Sequence, residues 1–290
     1  MKADKDTKIV ALFGNPIGHS ISPLLQNAAF ERMGLNYIYI PFQLTSDQLK
    51  RAMGSFDCFR IAGANVTTPY KTEVMRYLDE IDESAKMIGA VNVISNKGGR
   101  LHGYNTDGEG FLMSLKENAG ADPEGAKVLI IGCGGAARAI AFTLVLRGAS
   151  KVYIANRTYG KAAGLAGEIN RAAKGKAKAL HLDYDELKEA SRRSDIVVNT
   201  TTVGMYPNTQ ARPFPPDILS ANQLVCDAVY NPPVTGILRD AADLGCDVLT
   251  GLGMLIYQAI GSFKIWTDRE PGYDELYEIA YKWTTNRKGK

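Results

Sequence analysis

Apolar positions early in the chain fall in short runs separated by polar, glycine-bearing breaks. Residues 8–13, 37–44, 59–66, 90–95 and 100–105 have the length and the β-branched or aromatic content of strands. Between them lie helix signals. Ser22-Pro23 predicts a start with Ser22 as N-cap and Pro23 at the first helical position, and Gly34 a stop. Thr68-Pro69 repeats the signal, with Thr68 as cap and Lys71 in the first turn. Asn96-Lys97-Gly98-Gly99 marks a hairpin. Thr106 and Glu109 match a capping box that opens a helix over 110–118, and 120–125 reads as a hinge.

From Lys127 the period changes. Residues 128–131 form a continuous apolar run, as expected of a parallel strand buried on both faces. A helix over 136–147, a strand over 151–155 and a helix over 159–174 follow, then strands over 179–182, 195–199, 224–229 and 247–249 with helical segments between several of them. Residues 254–267 are a strongly apolar helix, followed by a polar tail rich in Lys and Arg. Strands alternating with helices predict an α/β fold with a doubly wound sheet. There is no internal repeat.

Composition narrows the function classes. With 290 residues, 45% hydrophobic and 22% charged, the chain fits two medium domains or one large one, with ample core. A net charge of +3 without a polybasic run argues against nucleic acid. No apolar stretch is long enough for a membrane span, and the charged N-terminus lacks a signal-peptide core, so the cytoplasm is expected. Cysteines 58, 133, 226 and 246 and histidines 19, 102 and 181 are scattered, with neither disulfide-framework nor metal spacing.

Two constellations carry chemistry. Gly132-Cys133-Gly134-Gly135-Ala136-Ala137 lies between a strand and a helix and reads as G-x-G-x-x-A, a dinucleotide fingerprint. Its glycines allow a tight turn and close phosphate approach, and the helix N-terminus offers N–H groups. The next strand ends in Asn156-Arg157-Thr158, with Lys161 a turn later. No carboxylate stands there for ribose hydroxyls, whereas Arg157 can hold a 2′-phosphate, which favours NADP over NAD. The other reading is that these are solvated loop residues.

The second constellation lies in the first half. Ser20 and Ser22 flank a helix start. Lys71 opposes the dipole of the helix expected at Pro69, a placement more often functional than decorative. Asp107 is either a helix-stabilising acid or a partner for that lysine, and Asn92 either a satisfied buried amide or a ligand contact. Together they suit a small polyhydroxylated carboxylate; spacing does not choose which.

These motifs, with Gly14-Asn15-Pro16-Ile17-Gly18-His19-Ser20-Ile21-Ser22-Pro23, Asn65-Val66-Thr67-Thr68-Pro69-Tyr70-Lys71, Asn105-Thr106-Asp107-Gly108, Asn199-Thr200-Thr201, Gly204-Met205, Asp227-Ala228-Val229-Tyr230-Asn231-Pro232 and Gly253-Met254-Leu255 with Gln258, resemble the shikimate dehydrogenase family over nearly the whole chain. The resemblance implies a substrate domain over 1–106 and 251–290 and a Rossmann-like NADP domain over 107–250. It implies Lys71 and Asp107 as the catalytic pair, and Ser20 and Ser22 as contacts to the substrate carboxylate. Asn65, Thr67, Asn92, Asp107 and Gln258 would bind hydroxyls, with Tyr230 reaching the substrate from the cofactor domain. Gly132, Gly134, Gly135, Ala136, Asn156, Arg157, Thr158 and Lys161 would bind NADP, with Met205 and Gly253 at the nicotinamide. No metal is implied, and the expected form is a monomer or homodimer. Gln26 stands where the family often has His. Rival readings are a broader enzyme using quinate or NAD, a non-catalytic sensor of the pathway, and another two-domain dehydrogenase such as a folate-linked one. The sensor would be expected to lose the Lys–Asp pair or gain a DNA-binding segment, and the folate-linked enzyme would lack the Ser-x-Ser-Pro cluster.

Overall fold

The structure is a computed structural model that describes residues 3–18 and 20–286; His19 of the first motif and the last four tail residues lie outside the described residues. The chain divides into two compact units. The first comprises Met1–Thr106 and Gln258–Trp283, the second Asp107–Tyr257 and Thr284–Lys290.

In the first unit, β1 (Lys8–Gly14), α1 (Ser22–Arg32), β2 (Tyr37–Gln43), α2 (Ser46–Met53) and β3 (Ile61–Val66) lead to β4 (Glu80–Ile81), α3 (Glu83–Ile88) and the hairpin of β5 (Val93–Lys97) and β6 (Arg100–Tyr104). The sheet runs β2-β1-β3-β5-β6-β4. β1 is parallel to β2 and β3, while β5 is antiparallel to both neighbours. Aromatic packing closes its core: Phe30 stacks on Tyr37 and on Phe263 at 5.0 and 4.9 Å.

The second unit holds α4 (Asp107–Ala119), β7 (Lys127–Ile131), α5 (Gly135–Leu146), β8 (Lys151–Asn156), α6 (Tyr159–Ala172), β9 (Ala177–His181), α7 (Tyr184–Arg192), β10 (Ile196–Asn199), β11 (Leu224–Asp227), α8 (Gly236–Asp243) and β12 (Asp247–Leu249). All its strand pairs are parallel, in the order β12-β11-β10-β7-β8-β9. Counted within the unit this is the 3-2-1-4-5-6 order of a dinucleotide fold, whose direction of winding reverses between β7 and β10. Ligands of such sheets sit outside the strand C-termini at that reversal. The apolar run of β7 is buried from Val128 to Ile131, as parallel pairing on both sides requires. α9 (Gly251–Thr267) and α10 (Tyr273–Asn286) complete the chain.

Four local expectations are corrected. Ser22 is the first residue of α1 and not its cap: Ile21 already has helical angles (φ −86°, ψ −11°), and the Ser20 hydroxyl accepts the Ser22 N–H at 3.3 Å. Pro69 opens no α-helix. Turns lead instead to a 3-10 segment, Glu73–Tyr77, because the Lys71 carbonyl accepts the Val91 N–H at 2.8 Å and is tied to the sheet side. The dipole argument for Lys71 therefore loses its helix. Thr106 and Glu109 form no capping box. The Thr106 N–H donates to Asn92 Oδ1 (2.8 Å), and Glu109 pairs with Arg147 (2.7 Å). The polar tail after 267 is largely helix α10, which buries only a short apolar face, Leu276 and Ala280, and carries Tyr277 stacked on an exposed Tyr281. The chain changes unit inside α9, between Tyr257 and Gln258. The first turn of α9 belongs with α4, since a Cβ on Gly253 would lie 2.2 Å from Ser114 Oγ and 2.4 Å from Asn118 Oδ1.

Candidate functional site

In the first unit, amide and hydroxyl groups gather past the C-terminal ends of β1 and β3. Asn65 is the penultimate residue of β3 and is buried. Its Nδ2 donates to the Asn92 carbonyl and to Ser262 Oγ, each at 3.0 Å, and its Oδ1 accepts the Tyr39 hydroxyl at 2.8 Å. Both amide hydrogens are thus committed, and what Asn65 can offer a ligand is its second carbonyl lone pair. Burial raises the Tyr39 phenol far above its ordinary range, opposed by a hydrogen bond with Ser22, so the phenol stays protonated.

Asn92 is more deeply buried still. Its Nδ2 donates to Thr106 Oγ1 at 3.0 Å, and that hydroxyl donates to the Gln258 carbonyl at 3.1 Å. Ser262, one turn beyond Gln258 on α9, donates to the same carbonyl at 2.9 Å. The structure therefore joins Ser22, Asn65, Asn92 and Gln258 through Tyr39, Thr106 and Ser262, which the sequence reading did not select. The one available signal was helical spacing: Gln258 and Ser262 are the polar i,i+4 pair on an apolar helix. Thr67 follows β3, its N–H donating to the Phe13 carbonyl at 2.9 Å; it and Lys71 are half-buried. Gln26, the departure from the family pattern, is buried and donates to the Ala259 carbonyl at 3.0 Å, tying α1 to α9 beside Gln258.

Asp107 opens α4 in the second unit and is buried. Lys71 and Asp107 thus come from separate units.

The residues of the second unit expected to bind the cofactor lie on loops that follow β7, β8 and β10. Gly132 has φ +115°, and a Cβ there would lie 2.5 Å from Thr200 Oγ1, which donates to the Ile131 carbonyl at 2.7 Å. Only glycine satisfies both conditions. Gly134 is the N-cap of α5 and has no side-chain cap, with open space where its Cβ would be. Gly135 and Ala136 are in the first turn of α5, where backbone N–H groups have no intrahelical acceptor, as a pyrophosphate site requires. Asn156 Nδ2 donates to the Thr158 carbonyl at 3.0 Å and closes the turn after β8, leaving Arg157, Thr158 and Lys161 exposed. Among the described residues neither Arg157 nor Lys161 has an ion-pair partner, so both charges remain available to a phosphate. Burial pushes the Cys133 thiol up to about 11, while Lys161 and Arg138 pull against it, showing a positive field over the loop. These features fit NADP. Met205 and Tyr230 lie on the loops after β10 and β11, which are joined by the Tyr206 N–H donating to the Asn231 carbonyl at 3.0 Å. Gly253 is on the first turn of α9.

Among the described residues no group of three or more His, Cys, Asp or Glu is placed to hold a metal, and no helix is long and apolar enough to cross a membrane.

A 3-2-1-4-5-6 sheet with a glycine cradle and free strand-end cations, joined to a unit rich in buried amides and hydroxyls, defines a dinucleotide-dependent α/β dehydrogenase. Residues 12–94 match the shikimate dehydrogenase substrate binding domain, 114–208 shikimate/quinate 5-dehydrogenase, and 251–280 the shikimate 5′-dehydrogenase C-terminal domain. The chain belongs to the shikimate dehydrogenase family. A shikimate dehydrogenase (NADP(+)) of Methanopyrus kandleri is 42% identical over 281 residues, 97% of each chain. A shikimate dehydrogenase crystallised with NADP+ superposes with a TM-score of 0.91 at 39% identity, covering 98% of both chains. The Listeria monocytogenes shikimate 5-dehydrogenase, in complex with shikimate and NAD, gives 0.90 at 37% identity, covering 96% of this chain and 98% of that one.

Proposed function

We propose that this protein is a shikimate dehydrogenase, reducing 3-dehydroshikimate to shikimate reversibly with NADPH in the route to aromatic amino acids. The observation that carries the choice of cofactor is the strand end after β8, where Arg157 and Lys161 stand without a carboxylate or an ion-pair partner. Bound NADPH supplies the hydride.

The residues of the chain bind, orient and move the proton. Ser20 and Ser22 hold the carboxylate of the substrate. Asn65, Thr67, Asn92, Asp107 and Gln258 hold its hydroxyls, Asn65 through its remaining lone pair, and Tyr230 reaches it from the loop after β11. Gly132, Gly134, Gly135 and Ala136 cradle the pyrophosphate; Asn156, Arg157, Thr158 and Lys161 hold the 2′-phosphate end; Met205 and Gly253 border the nicotinamide. As the C3 carbonyl is reduced, Lys71 gives its proton to the oxygen; in the reverse direction it takes the hydroxyl proton. Asp107 orients Lys71 and accepts from the same hydroxyl. In this reading the substrate domain is 1–106 with 251–290, and the cofactor domain 107–250. The enzyme works in the cytoplasm as a monomer or homodimer, on small molecules rather than nucleic acid, as the modest charge of +3 supports.

Initial rates of cofactor reduction, with shikimate and quinate crossed against NADP and NAD, test the proposal. Turnover with shikimate and NADP alone is expected. Comparable rates with quinate or NAD would make it a broader dehydrogenase, and no turnover in any combination would make it a binding protein.

A further inference from the structure

Asp227 ends β11 and is 2% exposed. Its Oδ1 accepts from Asn199 Nδ2 and from the Val229 N–H, each at 2.9 Å. Its Oδ2 accepts from the Thr235 hydroxyl at 2.6 Å. The two oxygens therefore fasten both ends of the loop from Val229 to Thr235, and Tyr230 lies between those ends. Asn199, the last residue of β10, extends the network: its Oδ1 accepts from the Thr201 N–H (3.0 Å) and hydroxyl (2.8 Å), at the start of the loop that leads to Met205. The Ala228 N–H donates to the Asn199 carbonyl at 2.8 Å.

Burial holds the Asp227 carboxyl up at about 6, against the opposing hydrogen bonds of Thr235, Val229 and Asn199, and no cation contributes. A buried carboxylate without a counter-charge is an expensive way to satisfy three donors that an amide and a water could serve. Its advantage is geometric: one rigid planar group receives donors from two strand ends and a helix start.

We propose that Asp227 is a positioning residue for the reaction, locking the Tyr230 loop to the end of β10 so that Tyr230 is presented to the substrate. This rests on the functional reading above. The test is a double-mutant cycle of Asp227→Ala and Tyr230→Phe, reading KM for shikimate, KM for NADP and kcat. Asp227→Ala is expected to raise KM for shikimate by about tenfold or more, with KM for NADP within about twofold, because a small misplacement of a contact residue is costly. Tyr230→Phe, made in that background, is expected to add little, and Asp227→Asn, which keeps an oxygen toward Asn199 and Val229, to restore most of the loss. If Asp227→Ala does not fold, Thr235→Val removes one of the three bonds with little change of volume and carries the same cycle. An inactive wild type, or a Tyr230→Phe variant with unchanged KM, would sink the functional reading and this role with it. An active enzyme in which the two effects add fully, or in which both KM values rise together, would sink the positioning role alone.

Discussion

Replacing Gly132 by alanine asks whether the cofactor loop is as constrained as its backbone angles indicate. At φ +115° an L residue is strained by about 1–3 kcal/mol. The new methyl carbon would also stand 2.5 Å from Thr200 Oγ1 and 3.2 Å from Thr201 Cγ2, so the threonine must turn away from the Ile131 carbonyl. Losing that hydrogen bond costs about 1 kcal/mol more. The sum, about 2–4 kcal/mol, has two possible destinations. If the loop keeps its path, the whole amount comes off folding stability. If the loop relaxes to negative φ, the cradle for the pyrophosphate is lost and NADP binds roughly 30- to 1000-fold more weakly. Denaturant unfolding and a fluorescence titration with NADP separate the two. Stability unchanged to within about 0.5 kcal/mol together with an affinity within about twofold would refute the reasoning, since a substitution that disturbs nothing typically stays inside that range.

Asp227 makes the pH dependence predictable. Its folded pKa of about 6 lies above the ordinary 3.8, so the folded chain binds this proton more tightly than the unfolded chain. The contribution is fully present below the ordinary value and is lost as pH rises through about 6. Asp227→Asn, which cannot ionise, should gain stability relative to wild type between about pH 4 and pH 7, by up to roughly 3 kcal/mol; a pH-independent difference in unfolding free energy would contradict this. Lys71→Ala should lower kcat by about 10²–10⁴ with NADP affinity retained, whereas parallel loss of both would point to misfolding or a cofactor contact. Arg157→Ala should weaken NADP by about tenfold or more while leaving NAD unchanged, and the difference should shrink as salt is added; equal weakening of both cofactors would remove Arg157 from the 2′-phosphate.

The cofactor half was legible because its signals are local. A glycine with positive φ, an apolar run between parallel neighbours and a basic strand end leave their marks within a few residues of one another. The first unit was less legible where tertiary bonds outrank local propensity. Pro69 carries a helix-start signal, yet the hydrogen bond from Val91 to the Lys71 carbonyl fixes another path. Thr106 has the composition of a cap, yet Asn92 takes its N–H and the Gln258 carbonyl its hydroxyl proton. Tyr39 reads as a packing residue in an aromatic strand, and only the fold brings its hydroxyl to Asn65. A continuous helical pattern such as that of α9 likewise contains no mark for the residue at which its packing partners change.

That helix has a consequence for the order of synthesis. The first unit is not complete when its N-terminal stretch leaves the ribosome. Phe30 stacks on Phe263, Gln26 donates to the Ala259 carbonyl, and Trp266 Nε1 donates to the Ile94 carbonyl at 2.9 Å. Each of these partners is translated only after the entire parallel sheet, which ends at Leu249. Domains usually fold in the order they are made. Here the part begun first is the part finished last, and a nascent chain halted at β12 would carry a sheet with all its strands beside an N-terminal half still lacking the helix that seals it.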